Sequence, residues 1–412
     1  MTTAIGERPQ LAESRPPRRG RGRRLGVVGL SVLALLVGAA VGLGLMLSAR
    51  SPLLDARAAL EEGRDSLLEG ELSRAATQFE EARSSFGTAV GRLQNPLTWW
   101  ASVLPIAGRT PDAVLAGARA GALASAAAGD LTNAVGDLPG GPAALAPSDG
   151  RMDLRALESL SPPVTRALAL IRRAEAFARS GPTSLVPGEL SETLDRLVDE
   201  LAEARHALAS ADALLSVLPD FLGADGPRRY FLGAQNPAEL RGTGGLIGAF
   251  AVVTVDRGAI SVGPFEDIGA LPSIDPATVE PPGPDFDRIY GRYASGGDWS
   301  NINMTPDFPS AAVAMERLYE RGRDQRLDGV ILADPQAFAL LLDAAGSVDV
   351  PGIGVTLDEE DVLPFVTNEA YVAFPEASVR KRILGAVAGL VLQRFLSGQE
   401  VDEPVAAGRA LI

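Results

Sequence analysis

The sequence predicts an all-α bundle followed by an α/β domain, a mixed sheet with helices packed on it, with one transmembrane helix ahead of both. Three observations carry this. A stretch of 23 residues, Leu25 to Leu47, has Ser31 as its only clearly polar side chain. From Leu53 to about Phe221, apolar residues recur at steps of three and four, the period of a helix face. Beyond Gly226-Pro227, short strand-like runs alternate with amphipathic helical ones, as in an α/β sheet.

As a helix, Leu25 to Leu47 would reach about 34 Å, enough for a hydrocarbon core about 30 Å thick. A cleaved signal peptide fits less well, because its apolar region runs to about 15 residues and bulky Leu47 stands where cleavage after Ala49 wants a small side chain. Arg15, Arg18, Arg19, Arg21, Arg23 and Arg24 precede the span, and only Arg50 closely follows it. The positive-inside rule then places the N-terminus in the cytoplasm and the bulk of the chain outside the cell membrane, with the bilayer as partner through Leu25 to Leu47. Residues 1–24, rich in Pro, Gly and Arg, read as a disordered basic cytoplasmic tail.

Residues 51–224 read as an extracytoplasmic helical bundle or stalk. Leu190, Leu194, Leu197, Leu201, Leu208, Ala211, Leu215 and Leu218 form one apolar stripe. Leu60, Leu67, Phe79, Phe86 and Leu93 supply a second, and Leu154, Leu157, Val164, Leu168 and Ile171 a third. Pro111 to Leu138 is so rich in Ala and Gly that it packs tightly or not at all. Breaks are expected at Asn95-Pro96, Pro139-Gly140-Gly141-Pro142, Ser161-Pro162-Pro163 and Gly181-Pro182. The run from Leu67 to Ala82 looks like one tetratricopeptide unit; with no second copy at the required period, it reads as an ordinary helical hairpin turning near Gly70.

Residues 225–412 form the α/β domain. Strands are expected at Tyr230 to Gly233, Leu246 to Val255, Gly329 to Ala333 and Val348 to Val350. Helices are expected at Pro306 to Arg323, Pro335 to Ala345 and Ser378 to Leu396. Ile268 to Ser300 has no period, and so long a loop is expected to cover a site. The sequence stops just after a long helix, which leaves room for a further C-terminal region.

Composition narrows the chemistry. The net charge of −14 divides into +5 over residues 1–24, from seven Arg and two Glu, and −19 for the rest. So acidic a body argues against nucleic acid as partner. With no Cys and with His206 as the one His, thiol nucleophiles, disulfides and Cys-based zinc sites are excluded, and a Ser-His-Asp triad has no suitably placed base. Carboxylates, Arg, Tyr, hydroxyls or an oxygen-held metal remain.

The densest polar cluster runs from Gln235 through Asn236, Glu239, Arg241 and Thr243 to Gly244 and Gly245, between two expected strands. Amides, a carboxylate, an Arg and paired Gly at a strand end can build an anion pocket, with Arg241 forking onto phosphate or carboxylate. The plainer alternative is a turn in which Asn236 caps, Glu239 pairs with Arg241 and the glycines permit positive φ.

This string, Q-N-x-x-E-L-R-x-T-G-G, is followed by an apolar strand, by Asp298-Trp299-Ser300-Asn301 with Asp307-Phe308-Pro309, and by Asp328-Gly329-Val330-Ile331. As a set these motifs closely resemble the bacterial family known as domain of unknown function 4012, over about residues 228 to 397. That family has no established reaction, so the resemblance implies location and architecture rather than mechanism. Leu327 to Val350 also looks like the LytR-CpsA-Psr family, single-span extracytoplasmic proteins that move glycopolymers from polyprenyl-pyrophosphate onto peptidoglycan with Mg²⁺. That second resemblance would make Arg241, Arg380 and Arg382 pyrophosphate ligands. Its two metal-binding Asp, however, fall at Gln235 and Thr243, leaving Glu239, Asp298 and Asp307 as replacement metal-ligand candidates. Each of these also has a plain role open to it, as an ion-pair partner, a turn residue or an acid at a helix start.

Two functions follow as expectations. One is a non-catalytic or assembly role in which the domain binds a phosphate-bearing envelope ligand, a polyprenyl-phosphate glycolipid or cell-wall glycan, without a cofactor. The other is a LytR-CpsA-Psr-like phosphotransferase using Mg²⁺. The sequence does not decide between binding and catalysis, nor does it reveal ligand identity or oligomeric state.

Overall fold

The computed structural model describes residues 47–95, 109–184, 186–293 and 297–398. The expected span at Leu25 to Leu47 and the basic tail lie outside them, save for Leu47 itself. Among the described residues no helix is long and apolar enough to cross a membrane.

Five long helices make the bundle: α1 (Arg50–Leu68), α2 (Leu72–Leu93), α3 (Arg109–Gly136), α4 (Leu154–Ser180) and α5 (Gly188–Phe221). Neighbours in sequence pack side by side and antiparallel. The α1–α2 hairpin turns at Gly70, whose φ of 78° is open to glycine, as the simple-hairpin reading expects. The Ala/Gly-rich α3 takes the tight option. A Cβ at Gly121 would stand 2.6 Å from the Phe86 ring and one at Gly63 2.8 Å from the Phe79 ring, so α2 sets its rings into holes on both neighbours. The buried Phe79 ring contributes about 1.5–3 kcal/mol, and half-buried Phe86 less. The expected stripe on α5 faces inward, with Leu194 and Leu201 buried and the rest half-buried; Leu67, on the second stripe, is exposed.

One expected break does not occur. Helix α4 runs through Pro162 and Pro163, although each lacks the N–H that would bond the turn before it. Leu157, Leu160, Val164, Ala167 and Leu168 are all buried on either side of the prolines, and that burial outweighs the lost hydrogen bonds. Lower on α4, Glu175 accepts from Arg179 at 2.7 Å and from Arg205 of α5 at 2.9 Å. These bonds hold its carboxyl below the usual carboxylate range.

The second unit is built on a sheet of β1 (Arg228–Asn236), β2 (Leu246–Asp256), β3 (Ala259–Val262), β4 (Glu266–Asp267) and β5 (Gly329–Ala333). Its order is β3-β2-β1-β5, with β4 also on β2. Strand β1 is antiparallel to β2 and parallel to β5, so the sheet is mixed. It is longer than the four residues expected because both its ends are paired. Around it lie α6 (Pro284–Tyr290), α7 (Phe308–Arg323), α8 (Pro335–Ala345) and a small ladder of β6 (Val348–Val350) with β7 (Val355–Leu357). Short helices α9 (Val362–Pro364) and α10 (Ala370–Ala373) flank a π-helical stretch, Phe365–Glu369, and α11 (Ala377–Ser397) closes the described chain.

Alternation along β1 divides the core. Phe231 faces one side, stacked on Phe250 at 5.1 Å and on Trp299 at 5.4 Å between ring centroids. Tyr230 and Leu232 face the other, with Val253 and Val255. The long loop expected to cover a site covers this core instead. Ile268, Leu271, Phe286 and Trp299 from it are buried against Phe231 and Phe250.

The two units meet at one place, the turn between β2 and β3. Arg257 N donates to Gly223 O and Gly258 N to Leu222 O at the end of α5, while Met152 N, just before α4, donates to Gly258 O, all at 2.9 Å. Phe221 stacks on Tyr230 at 4.4 Å and its carbonyl accepts from the Tyr230 hydroxyl. The C-terminal end of α11 reaches the same joint, where Gly150 N donates to Leu396 O.

Candidate functional site

A cavity of about 80 Å³ opens at the C-terminal ends of β1 and β5, where the chain passes into loops and helices. Crevices at the carboxyl ends of parallel strands are where open α/β sheets place ligands. Its walls are apolar: Ala234 of β1, Leu246 and Ala249 of β2, Phe338 of α8, Val362, Val366, and Leu384, Val387 and Ala388 of α11. Its polar groups are Gln235, Asn236, Glu239, Tyr371, Arg380 and Lys381.

Tyr371 sits at the centre of the polar rim. Its hydroxyl accepts from Asn236 Nδ2 at 2.6 Å and donates to Glu239 Oε1 at 3.4 Å. The Arg380 guanidinium lies over its ring, 4.1 Å from the centroid, a cation–π contact. Burial, then the Glu239 charge, pushes the phenol above its usual pKa against the pull of Arg380, so the hydroxyl stays protonated at neutral pH. Arg380 Nη1 donates to Phe374 O at 3.0 Å and Pro375 O at 3.2 Å, which fixes the guanidinium at the mouth. Lys381 Nζ bonds Asp267 Oδ1 at 3.0 Å while remaining half-exposed. Two cations therefore stand beside an apolar hole, Lys381 already paired with Asp267 and both on a rim that also carries Glu239.

The polar string divides between frame and pocket. Gln235 Nε2 donates to Thr243 Oγ1 at 2.8 Å and to Gly245 O at 3.2 Å, and buried Asn303 Nδ2 donates to the same two oxygens at 2.8 and 2.7 Å. This clasp ties the 241–245 turn to the end of β1 and to the 301–305 loop. The glycines admit protein backbone: a Cβ at Gly242 would meet Met304 O at 2.3 Å, and one at Gly245 would meet Asn236 O at 2.5 Å. Gly244 has φ 119°, the positive value that the turn reading assigns to these glycines. Asn236 Oδ1 caps the preceding turn, residues 236–239, by accepting from Ala238 N at 2.9 Å.

The three arginines expected to share one pyrophosphate do not meet. Arg241 donates Nε to Ser300 O and Nη1 to Leu240 O, both at 2.8 Å, and so staples the loop after Asp298. Nor does it pair with Glu239, which accepts from Tyr371. Arg382 lies on the next face of α11 and lines a separate open groove beside β3. Only Arg380 of the three stands at the cavity.

The candidate metal carboxylates are likewise apart. Asp298 accepts from Ser300 N at 2.9 Å and Asn301 Nδ2 at 3.1 Å in a turn, and Asp307 caps α7 through Ser310 N at 3.2 Å. Among the described residues no three acidic or histidine side chains group to hold a metal ion. Tyr371 and Lys381 were missed by reasoning from sequence. Tyr371 is 135 residues from Asn236, and no local pattern marks either residue.

Comparison with curated proteins and with solved structures gives no match, and none of the comparisons supports the resemblance to the LytR-CpsA-Psr family. Residues 225–371, which hold the sheet, the clasp and Tyr371 but not Arg380 or Lys381, match the model of the family described as protein of unknown function (DUF4012).

Proposed function

We propose that this is a membrane-anchored extracytoplasmic protein whose α/β domain binds a phosphate-bearing envelope ligand in a non-catalytic or assembly role. The observation that carries the reading is the pairing, at one strand-end cavity, of an apolar hole with Arg380 and Lys381 at its mouth. An acid group would take the guanidinium and ammonium, and a short apolar group next to it would take the hole. The anchor is Leu25 to Leu47, supported by its length and by the arginines before it. Binding is favoured over Mg²⁺-dependent transfer because Gln235 and Thr243, which stand where the second family has aspartates, bond to each other and hold the backbone.

Calorimetric titration of butyl phosphate into the full chain, held in lipid nanodiscs, tests this. Saturable binding is expected, weakened about tenfold in Arg380→Gln, the low end for a hydrogen bond to a charged group at a half-exposed site. Absence of binding, or equal affinity in Arg380→Gln, refutes the proposal.

A further inference from the structure

The position of the cavity bears on where its ligand comes from. Residue 50 opens α1, at the bundle end that also holds the end of α4 and the start of α5. The α/β unit is attached at the opposite end, where α5 finishes and α4 begins. Helix α4, at 27 residues, sets these ends about 40 Å apart. Within the α/β unit the cavity is also set away from the joint. The joint holds Leu396 and Ser397 at one end of α11, whereas Arg380 and Lys381 are near its other end, about 25 Å along the helix. Nor does the cavity suit a long hydrocarbon tail: about 80 Å³ is well below the about 300–1,000 Å³ of pockets that enclose a drug-sized ligand.

From these two observations, and resting on the anchor and acid-binding reading above, we infer that the ligand reaches the pocket from the aqueous side of the envelope. It is a phosphate ester carried by a soluble or wall-borne molecule, not the headgroup of a lipid seated in the chain's own bilayer. The bundle acts as a spacer that holds the mouth away from the membrane. Leu240, 82% exposed, and Val372, 75% exposed, flank the Tyr371–Glu239 contact and give the ligand's body an apolar rest.

The chain has no Cys, so Leu240→Cys and Arg50→Cys each give a single thiol for a donor dye. With acceptor lipids in the vesicle bilayer, strong energy transfer is expected from position 50 and little from position 240. In unlabelled full chain, undecaprenyl phosphate built into the same bilayer should shift the apparent Kd for butyl phosphate less than twofold. Strong transfer from position 240, a tenfold shift by the bilayer phosphate, or failure of the chain to sediment with vesicles overturns the inference. Little transfer together with no butyl phosphate binding instead locates the failure in the acid-binding reading, and the inference falls with it.

Discussion

Replacing Tyr371 by Phe removes one oxygen and keeps the ring on which Arg380 lies, so it separates the frame of the pocket from its charge. The hydroxyl is the acceptor for Asn236 Nδ2 at 2.6 Å, and Asn236 is only 9% exposed. A buried donor left without a partner costs about 1–3 kcal/mol, whereas exposed Glu239 turns to water without that cost. Because the hydroxyl lies at the pocket rim, the lower half of that range applies, about 1–2 kcal/mol. For a unit of this size each kcal/mol lowers Tm by about 2–4 °C, so the variant should melt about 4 °C lower in scanning calorimetry. Its affinity for butyl phosphate should change less than threefold, since Arg380 and Lys381 are untouched. An unchanged Tm would show that the Asn236–Tyr371 bond does not hold the end of β1 to α10. A tenfold loss of affinity with unchanged Tm would make the phenol itself a ligand contact.

The glycines give a graded test of the clasp by chemical denaturation: Gly242→Ala and Gly245→Ala press a Cβ onto backbone atoms 2.3–2.5 Å away and should destabilise by about 3 kcal/mol or more, while Gly244→Ala strains φ alone and should cost about 1–2 kcal/mol. Equal effects at all three would remove the close-approach argument. Glu175→Gln tests the bundle by pH. A carboxyl held below its ordinary value of 4.5 contributes stability above that value and loses it as pH falls through the lowered folded value. The gap in helix melting temperature between parent and variant should therefore be full at pH 6 and shrink towards pH 3; a gap independent of pH would mean the Arg179 and Arg205 bonds do not stabilise the fold.

The order of elements was legible because it rests on local periodicity. Helix faces of three and four residues, and the apolar run of β2 ending in Asp256-Arg257-Gly258, state their own secondary structure. Arg257 and Gly258 both take positive φ there, the turn geometry that joins twisted antiparallel strands. What local signals could not show was set by packing at a distance. Pro162-Pro163 reads as a stop, but five buried side chains around it carry α4 through. The loop 268–300 reads as a cover for chemistry, yet its Trp299 and Phe286 are core residues arriving without a helical or strand period.

The site was legible by half, and the half that was hidden has a physical reason. A dense run of Gln, Asn, Thr and Gly looks like a ligand cradle because the same groups that bind anions also bind backbone. In this chain Thr243 and Gly245 accept from both Gln235 and Asn303, which leaves Asn236 and Glu239 to reach the rim. The cations come from α11 and the organising phenol from α10, segments joined to β1 only by folding. Such a division follows from stability. A strand end that must present polar groups beside an apolar hole needs its own backbone held first, and side chains near in sequence do that with the least loop entropy. Residues that meet the ligand can then come from elements far along the chain, which is why the three arginines that looked like one site are a loop staple, a pocket cation and a groove residue.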